Sequence, residues 1–368
     1  MNEEVFWHLA LTQVTQIGDV HIGVLLDYFG SPTEVFKANR KELESLPGIG
    51  TARASAIKKF NGFKCIEQEI AFLSKNGIEV LIKHKDGYPR RLENCIDAPQ
   101  VLFYKGSQPL NVQKVVAIVG TRAPTDYGKE RVASLIDSLF PLEVLVVSGL
   151  AYGIDTLVHR DCVKQGLSTI GVLGHGLNQI YPASNRMLAA EMIQRGGLLT
   201  EFMHKTKPDR QNFPRRNRIV AGMVDAVVVI ESGEKGGSLI TAEIANSYNK
   251  DVFAYPGRTT DLGSMGCNHL IRTHRANLIT SGVDFIEFMD WNSTLKRKKA
   301  IQAELFLALE GKEKELYDLV LQREPVGIDD LIIASGQKPS EVSAILFSLE
   351  MRGLVCPRPG KLFAAVYR

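Results

Sequence analysis

The sequence predicts an α/β protein in which a doubly wound, Rossmann-like parallel sheet lies between an N-terminal helical domain and a C-terminal winged helix. Three observations lead to this prediction. Short β-branched runs alternate with helical patterns through the middle of the chain, apolar residues recur at helical spacing before them, and three helical stretches with a hairpin pattern follow. We place the domains at residues 1–83, 84–292 and 304–368, with a linker at residues 293–303.

The N-terminal domain is predicted from residues 5–72, where short helical patterns alternate with turn signals. Within it, Leu46-Pro47-Gly48-Ile49-Gly50 followed by TARASAIKKF has the signature of a helix-hairpin-helix. Its glycines permit a tight turn and leave backbone N–H groups free to bind a phosphate. A degenerate copy lies at Ile17-Gly18-Asp19, where the carboxylate would repel a phosphate. A packing or interaction module explains the same pattern, because basic and acidic residues are nearly balanced here.

The central domain is predicted from six short apolar runs that helical patterns separate. Buried strands of this kind are typical of βαβ units whose parallel sheet is covered on both faces. Strand order does not follow from the runs themselves. They are VVAIVG from Val115, VLVVSG from Val144, STIGVLG from Ser168, GLLTEF from Gly197, DAVVVIES from Asp225 and DVFAYPG from Asp251.

The C-terminal part of the chain begins with residues 293–303, which contain the basic run KRKK and are predicted to be a solvated linker. Beyond the linker, helical patterns cover residues 312–323, 328–335 and 339–352, and VCPRPGKLFAAV has the pattern of a hairpin. Three helices and a terminal β-wing indicate a small winged-helix domain.

Composition restricts the classes of function. The net charge of +3, from 44 basic and 41 acidic residues, excludes a strongly basic nucleic-acid binder, so an anionic partner must meet a local basic cluster. Five scattered cysteines without a CxxC pair argue against a disulfide framework or zinc ribbon and favour a reduced, cytoplasmic compartment. The first residues lack the pattern of a signal peptide, and no apolar run is long enough to span a bilayer, so we expect no membrane association.

The end of the first central strand carries a candidate anion site. Gly120 closes the strand and Arg122 follows two residues later. Because GxGxxG is absent, the fingerprint of dinucleotide binding fails. The turn nevertheless places Arg122 above the carboxyl edge of the sheet, where such folds bind ligands. We predict that Arg122 binds an anion, and a surface salt bridge is the alternative.

Asp155 and His159 lie one helical turn apart after the second strand. Such a pair can share a metal or a proton, but the sequence offers no third ligand nearby. We therefore interpret the two side chains as a helix cap and a structural hydrogen bond.

The strongest local signal is KTKPDRQNFPRRNR at residues 205–218, which holds six basic residues against one aspartate. Arginine guanidinium groups bind phosphates, and an aromatic face stacks on an unpaired base. We predict a nucleic-acid-binding segment. The alternative, a solvated basic loop, does not explain why Phe213 and Pro214 stand between the charges.

A second candidate phosphate site is ESGEKGGSLITAE at residues 231–243, which leaves a strand, turns through Gly236-Gly237 and begins a helix at Ser238. Glycines, a hydroxyl and a helix N-terminus together form a phosphate cradle. No GKS or GKT follows, so nucleotide hydrolysis by a Walker A loop is not supported.

Taken in order, these segments resemble the DNA-processing protein A family (DprA, also called Smf), and the resemblance covers essentially the whole chain. The matching segments are VAIVGTR with YG, SGLAYGIDTLVHR, GVLGHGLNQIYP, GLLTEF, FPRRNRIVAG, ESGEKGGSLITA, and YPG followed by GCNHLIR. The resemblance implies a helix-hairpin-helix or SAM-like N-terminal region, an extended Rossmann-like central domain and a winged helix. It also implies a non-enzymatic homodimer without cofactor or metal, which binds and protects incoming single-stranded DNA in natural transformation and loads the RecA recombinase.

The resemblance further implies which residues form the DNA pocket. They are Gly120, Arg122, Phe213, Arg216, Asn217, Arg218, Gly237, Ser238 and Thr241. Two positions depart from the family pattern. Tyr152 stands where a basic residue is frequent, and Arg275 replaces the usual glycine before the alanine of the last motif.

Two other classes of function fit parts of the sequence. RRNR and the GGS–TAE segment resemble motifs of the cytokinin-activating phosphoribohydrolases, which hydrolyse nucleoside monophosphates, although ESGEK replaces their compact lead-in. A sequence-specific regulator would act through the winged helix. Its recognition helix, however, carries Glu341 and Glu350 and few of the arginines or amides that read bases in the major groove.

Overall fold

The central part of the chain is built on one nine-stranded sheet. The computed structural model describes residues 3–291, 309, 311–323, 325–352, 354–358 and 362–365. The chain divides into two units, Met1–Met289 and Asp290–Arg368. The strands of the large sheet are β1 Glu79–Ile82, β2 Val101–Gly106, β3 Val115–Val119, β4 Leu145–Ser148, β5 Thr169–Val172, β6 Gly197–Thr200, β7 Ala226–Val229, β8 Asp251–Ala254 and β9 Asn277–Leu278.

The order of the strands is β1-β2-β6-β5-β4-β3-β7-β8-β9. From β6 to β9 all neighbours are parallel, whereas β2 pairs antiparallel with both β1 and β6. The chain runs outward from β3 through β4, β5 and β6 and then returns to the other side of β3 with β7. This reversal opens a crevice at the carboxyl ends of β3 and β7, where doubly wound folds bind ligands. The six predicted strands are confirmed as β3 to β8.

Helices cover both faces of the sheet, and the parallel strands are apolar because neither face meets water. All residues of β3, β4, β5, β6 and β7 are buried. The helices between and after the strands are α7 Arg90–Glu93, α8 Asp126–Leu139, α9 Ile154–Gln165, α10 Arg186–Arg195, α11 Asn212–Gly222, α12 Gly237–Ser247, α13 Met265–Arg272 and α14 Gly282–Phe288.

Six helices precede the sheet, as the N-terminal periodicity predicts. They are α1 Glu3–Thr12, α2 Asp19–Phe29, α3 Pro32–Lys37, α4 Arg40–Glu44, α5 Gly50–Lys58 and α6 Phe63–Lys75. The hairpin of the predicted helix-hairpin-helix joins α4 to α5. Val101 and Phe103 of β2 share a buried apolar cluster with Leu9 and Ile66 from this region. The helices therefore pack directly on the antiparallel end of the sheet.

The second unit has the helices and the wing that the sequence predicts. Its helices are α15 Gly311–Gln322, α16 Ile328–Ser335 and α17 Pro339–Met351, and its strands are β10 Val326–Gly327, β11 Val355–Arg358 and β12 Leu362–Ala365, in the order β10-β12-β11. Leu316, Val320, Leu331 and Leu346 lie in its buried core. The predicted linker at residues 293–303 lies outside the described residues. No helix among the described residues is long and apolar enough to cross a membrane.

Candidate nucleic-acid interface

A cleft of about 660 Å³ lies at the topological switch point of the sheet. Its walls come from the segments that follow β3, β4 and β7 and from α11. Eight of the nine predicted pocket residues line this cleft, and Arg218 does not. The eight are Gly120, Arg122, Phe213, Arg216, Asn217, Gly237, Ser238 and Thr241.

The loop after β3 holds Arg122 at the mouth of the cleft. Gly120 is required by close packing, because a Cβ atom at this position would lie 2.6 Å from Cγ1 of Ile154. The next residue, Thr121, donates its N–H to the carbonyl of Glu231 at 2.8 Å and so ties the loop to the end of β7. The Arg122 side chain remains exposed, and no carboxylate among residues 3–291 forms an ion pair with it. Its charge is therefore available to an anion.

Glu231 fixes the rest of the same loop. Its buried carboxylate accepts hydrogen bonds from the Thr125 N–H at 3.0 Å and the Thr125 hydroxyl at 2.9 Å. Thr125 in turn caps the N-terminus of α8. Glu231 belongs to a segment that the sequence singles out, but its role as an anchor depends on contacts across 106 residues of chain. The carboxylate thus fixes the loop that carries Arg122, and Glu231 itself does not line the cleft.

The N-terminus of α12 forms the opposite wall. No atom lies within 4 Å of the place where a Cβ of Gly237 would stand, so a ligand can approach the backbone closely. Ser238 is buried and donates its hydroxyl to Ser232 Oγ at 3.0 Å, which fixes the turn, and Thr241 is buried one helical turn later. Open backbone at a helix N-terminus, with its positive dipole end, matches the geometry that binds phosphates.

Phe213 lies at the mouth of the cleft, on the first turn of α11. The guanidinium carbon of Arg122 is 5.6 Å from the centre of its ring, and the ring of Tyr181 is 6.1 Å away. Arg210 lines the same wall and is exposed. Arg210 belongs to the predicted basic segment, and Tyr181 to the motif GVLGHGLNQIYP, yet neither was assigned to the pocket by sequence. Cations beside exposed ring faces suit a strand with charged phosphates and unpaired bases.

Arg216 lines the cleft, but its side chain is almost fully buried. Only 5% of the residue is exposed, and its guanidinium donates to the carbonyls of Gly149 and Val172 at the ends of β4 and β5. Burial lowers the pKa of Arg216 and raises that of Asp155, and the attraction between the two charges opposes both shifts. Arg216 therefore supports the floor of the cleft, with Nη1 bound to two carbonyls and Nε bound to Oδ1 of Asn217.

The assignment of Arg218 to the pocket is corrected by the structure. Arg218 points from α11 toward the N-terminal helices, where it pairs with Glu201 at 2.6 Å and with Asp19 at 3.2 Å. Asp19 also accepts the N–H of Gln100 at 2.9 Å. The aspartate that would repel a phosphate in the degenerate hairpin instead binds the helical region to the sheet, and Arg218 serves the same contact.

Asp155 and His159 each make a separate hydrogen bond. Asp155 accepts the N–H of Ala151 at 3.2 Å, and Nδ1 of His159 lies 2.7 Å from the hydroxyl of Thr169. That hydroxyl donates to the carbonyl of Val146, so Nδ1 carries the proton and donates to Thr169. These contacts are structural hydrogen bonds. Among the described residues, no group of His, Cys, Asp and Glu side chains is arranged to hold a metal ion.

Acid is expected to destabilise the fold through His159. Burial lowers the pKa of this fully buried imidazole to about 3, because a second ring proton would be placed in an apolar environment. The unfolded chain then binds more protons than the folded one below about pH 6.5, so this contribution to stability is lost as the pH falls. From pH 6.5 to 5 the loss is about 2 kcal/mol. Urea unfolding across this range measures it, and the pH dependence should be shallower in His159→Gln. Equal slopes in the two proteins would contradict the expectation.

Glu243 is the glutamate of the segment that resembles a phosphoribohydrolase motif. Its carboxylate forms an ion pair with Arg275, the residue that departs from the family pattern, and Glu243 does not line the cleft. The carboxylate is therefore directed away from the place where a nucleotide would react.

Comparisons with known proteins agree with the geometry of the fold. Residues 79–290 match the sequence profile of the family described as DNA recombination-mediator protein A, and residues 307–361 match the DprA winged helix domain. Protein Smf of Synechocystis is 32% identical over 98% of each chain. The crystal structure of DNA processing protein A from Streptococcus pneumoniae is 33% identical, with a TM-score of 0.62 over 77% of this chain and 97% of that one. The Helicobacter pylori structure, which concerns a single-stranded DNA binding mode, is 29% identical, with a TM-score of 0.53 over 58% and 95%.

Proposed function

Because the chain belongs to the DNA recombination-mediator protein A family, DprA or Smf, we propose that its cleft binds single-stranded DNA during DNA processing in the cytoplasm. The observation that carries the proposal is the combination of two exposed arginines, an open helix N-terminus and a partly exposed aromatic ring in one cleft. The Helicobacter pylori relative, whose structure concerns a single-stranded DNA binding mode, supports the same ligand.

The structural features of the cleft favour single strands over duplexes for a physical reason. Arg122, Arg210 and the N–H groups at Gly237 and Ser238 supply contacts to phosphates, which both forms of DNA offer. Phe213 supplies a stacking surface, which only unpaired bases can use, because a duplex hides its base faces. The stacking contribution is therefore the one that distinguishes the two ligands.

A titration of single-stranded and duplex DNA of the same length across a salt series tests the proposal. We expect tighter binding of the single strand at every salt concentration, with affinity falling as salt rises because counterions are released. Tighter binding of the duplex would contradict the proposal. Incubation with nucleoside monophosphates serves as the test of the rival hydrolase, and release of free base would contradict a non-enzymatic role.

In the wider process, we propose that the bound strand is protected from nucleases and handed to RecA in natural transformation. The family membership supports this role. Loading is tested by the rate at which RecA filaments form on DNA that carries a single-strand binding protein. We expect acceleration by the parent chain and none by a variant that cannot bind DNA.

The protein is further proposed to be a homodimer formed through the Rossmann-like domain. Strand β9 lies at the edge of the sheet, and three apolar side chains on β9 and α14 are exposed, namely Leu278, Val283 and Phe288. Exposed apolar side chains near a sheet edge favour association. We expect light scattering at micromolar concentration to give twice the chain mass of 40.7 kDa, and Phe288→Glu to give a monomer. A parent protein that is monomeric at this concentration would contradict the proposal.

The winged helix is proposed to contact protein rather than DNA. Along α17, Phe347 and Met351 are 63% and 73% exposed one turn apart, with Glu350 beside them. Asp329 and Asp330 are exposed on α16. A helix that reads or grips DNA presents cations and amides, whereas this surface combines apolar and acidic groups.

Removal of the winged helix therefore should leave DNA affinity unchanged. In a chain truncated after Lys299, we expect the dissociation constant for single-stranded DNA to stay within about twofold of the parent value. Circular dichroism and light scattering establish that the truncated protein is folded and keeps its oligomeric state. Loss of binding by a folded, correctly assembled truncated protein would overturn this prediction.

A further inference from the structure

Three aromatic rings surround one shallow niche at the mouth of the cleft. Tyr152 follows β4, Tyr181 follows β5, and Phe213 stands on α11, so the rings come from three separate segments of the chain. Arg122 lines the same niche. The two tyrosines are 49% and 43% exposed, although their rings are large and mostly apolar.

The rings of Tyr152, Tyr181 and Phe213 line the mouth of the cleft as an aromatic wall and are not part of a packed core. The centres of the Tyr181 and Phe213 rings are 6.1 Å apart and their planes are inclined by 34°, and Tyr181 is exposed while Phe213 is partly exposed. Phe213 is supported from behind, because Gly174 leaves room for the ring, and a Cβ at that glycine would lie 3.0 Å from it. Exposed aromatic faces beside a cationic groove are the surfaces on which successive bases of a single strand stack.

We infer that Tyr152 and Tyr181 are base-stacking residues, which extend the aromatic surface of Phe213 along the bound strand. The inference rests on the proposed binding of single-stranded DNA and specifies which residues hold the neighbouring bases. Tyr152 replaces the basic residue that is frequent at its position, and this changes the kind of DNA contact available there. A basic side chain there would bind a phosphate, and its contribution to DNA affinity would fall as salt rises. A tyrosine instead contributes stacking, which releases no counterions.

Alanine and phenylalanine substitutions at the two tyrosines test the inference in the full-length protein. Tyr152→Ala and Tyr181→Ala are each expected to weaken binding of single-stranded DNA by about five- to 150-fold, the range for loss of one stacked base, without altering its salt dependence. Tyr152→Phe and Tyr181→Phe keep the ring and should bind like the parent. Tyr28→Ala is the matched control, because Tyr28 is a 59% exposed tyrosine on α2 outside the cleft.

Positional fluorescence separates stacking from an indirect effect on folding. Oligonucleotides carrying one 2-aminopurine at successive positions report stacking as quenched fluorescence. With the parent protein we expect quenching at consecutive positions, and each alanine variant, at saturating protein, should restore fluorescence at its own position only.

The outcomes distinguish this inference from the function on which it rests. If Phe213→Ala weakens binding while the tyrosine variants retain parental affinity and quenching, the inference is wrong and single-strand binding stands. If either tyrosine→alanine variant has the affinity and quenching of the parent, that tyrosine is not a base-stacking residue. If the parent protein does not bind single-stranded DNA, the proposed function itself fails.

Discussion

Phe213→Ala is expected to weaken binding of single-stranded DNA by about 1–3 kcal/mol, or roughly five- to 150-fold, with little change in duplex binding. The ring lies at the mouth of the cleft and has a partly exposed face, so its removal deletes a surface that only an unpaired base can use. Because stacking releases no counterions, a plot of log affinity against log salt should keep the parental slope.

Fluorescence anisotropy with a labelled oligonucleotide measures both quantities. Phe140→Ala is the matched control, because this phenylalanine is half exposed but precedes β4, at the amino end of the strands and away from the cleft. Phe213→Trp keeps a stacking face and should retain most of the affinity. If Phe213→Ala binds single strands as tightly as the parent, the ring has only a packing role and the stacking mechanism is wrong.

The fold was predictable to the extent that its signals are local. Five of the parallel strands, β3 to β7, are buried along their whole length because helices cover both faces, and that burial is visible in their largely apolar residues. Strand β2 is also largely buried, but it is defined by antiparallel pairing with β1 and with β6, whose residues lie more than 90 positions later. Pairing across such distances leaves no periodic pattern in one short run, so β1, β2 and β9 were missed.

The places of individual site residues were likewise predictable only where the signal is local. Gly120 and Gly237 were predicted from turns at a strand end and a helix start, and both lie in the cleft. The arginines of RRNR are identical in type, but successive positions of a helix point about 100° apart. Arg215 lies over the Phe202 ring, Arg216 is buried at the floor of the cleft, and Arg218 points toward Asp19. Their partners come from remote segments, so residue type alone did not separate them.

Because Arg216 is buried and Arg122 is exposed, we expect substitution of Arg216 to lower stability and substitution of Arg122 to weaken DNA binding. Arg216→Met is expected to lower the free energy of unfolding by about 2–5 kcal/mol, because it leaves the carbonyls of Gly149 and Val172 without their donor and Asp155 without a nearby positive charge. Arg216→Lys should also destabilise the fold, since one ammonium group cannot replace the planar guanidinium. Urea unfolding measures these changes.

Arg122→Ala should instead leave stability within about 1 kcal/mol of the parent, because the side chain is exposed. Its effect falls on DNA binding. Loss of one phosphate contact to a single strand lowers the slope of log affinity against log salt by about 0.7, and affinity falls most at low salt. Arg195→Ala is the matched control, since it removes an exposed charge at the end of α10, directly before β6 and at the opposite edge of the sheet.

The comparison decides which arginine meets the DNA. Under conditions where Arg216→Met remains folded, its salt slope should match that of the parent, because the guanidinium is buried and its Nη1 already donates to two protein carbonyls. A stable Arg216→Met protein with a reduced slope would show that Arg216 binds a phosphate after all. In that case the buried conformation would have to open on binding, and the floor of the cleft would be part of the DNA contact.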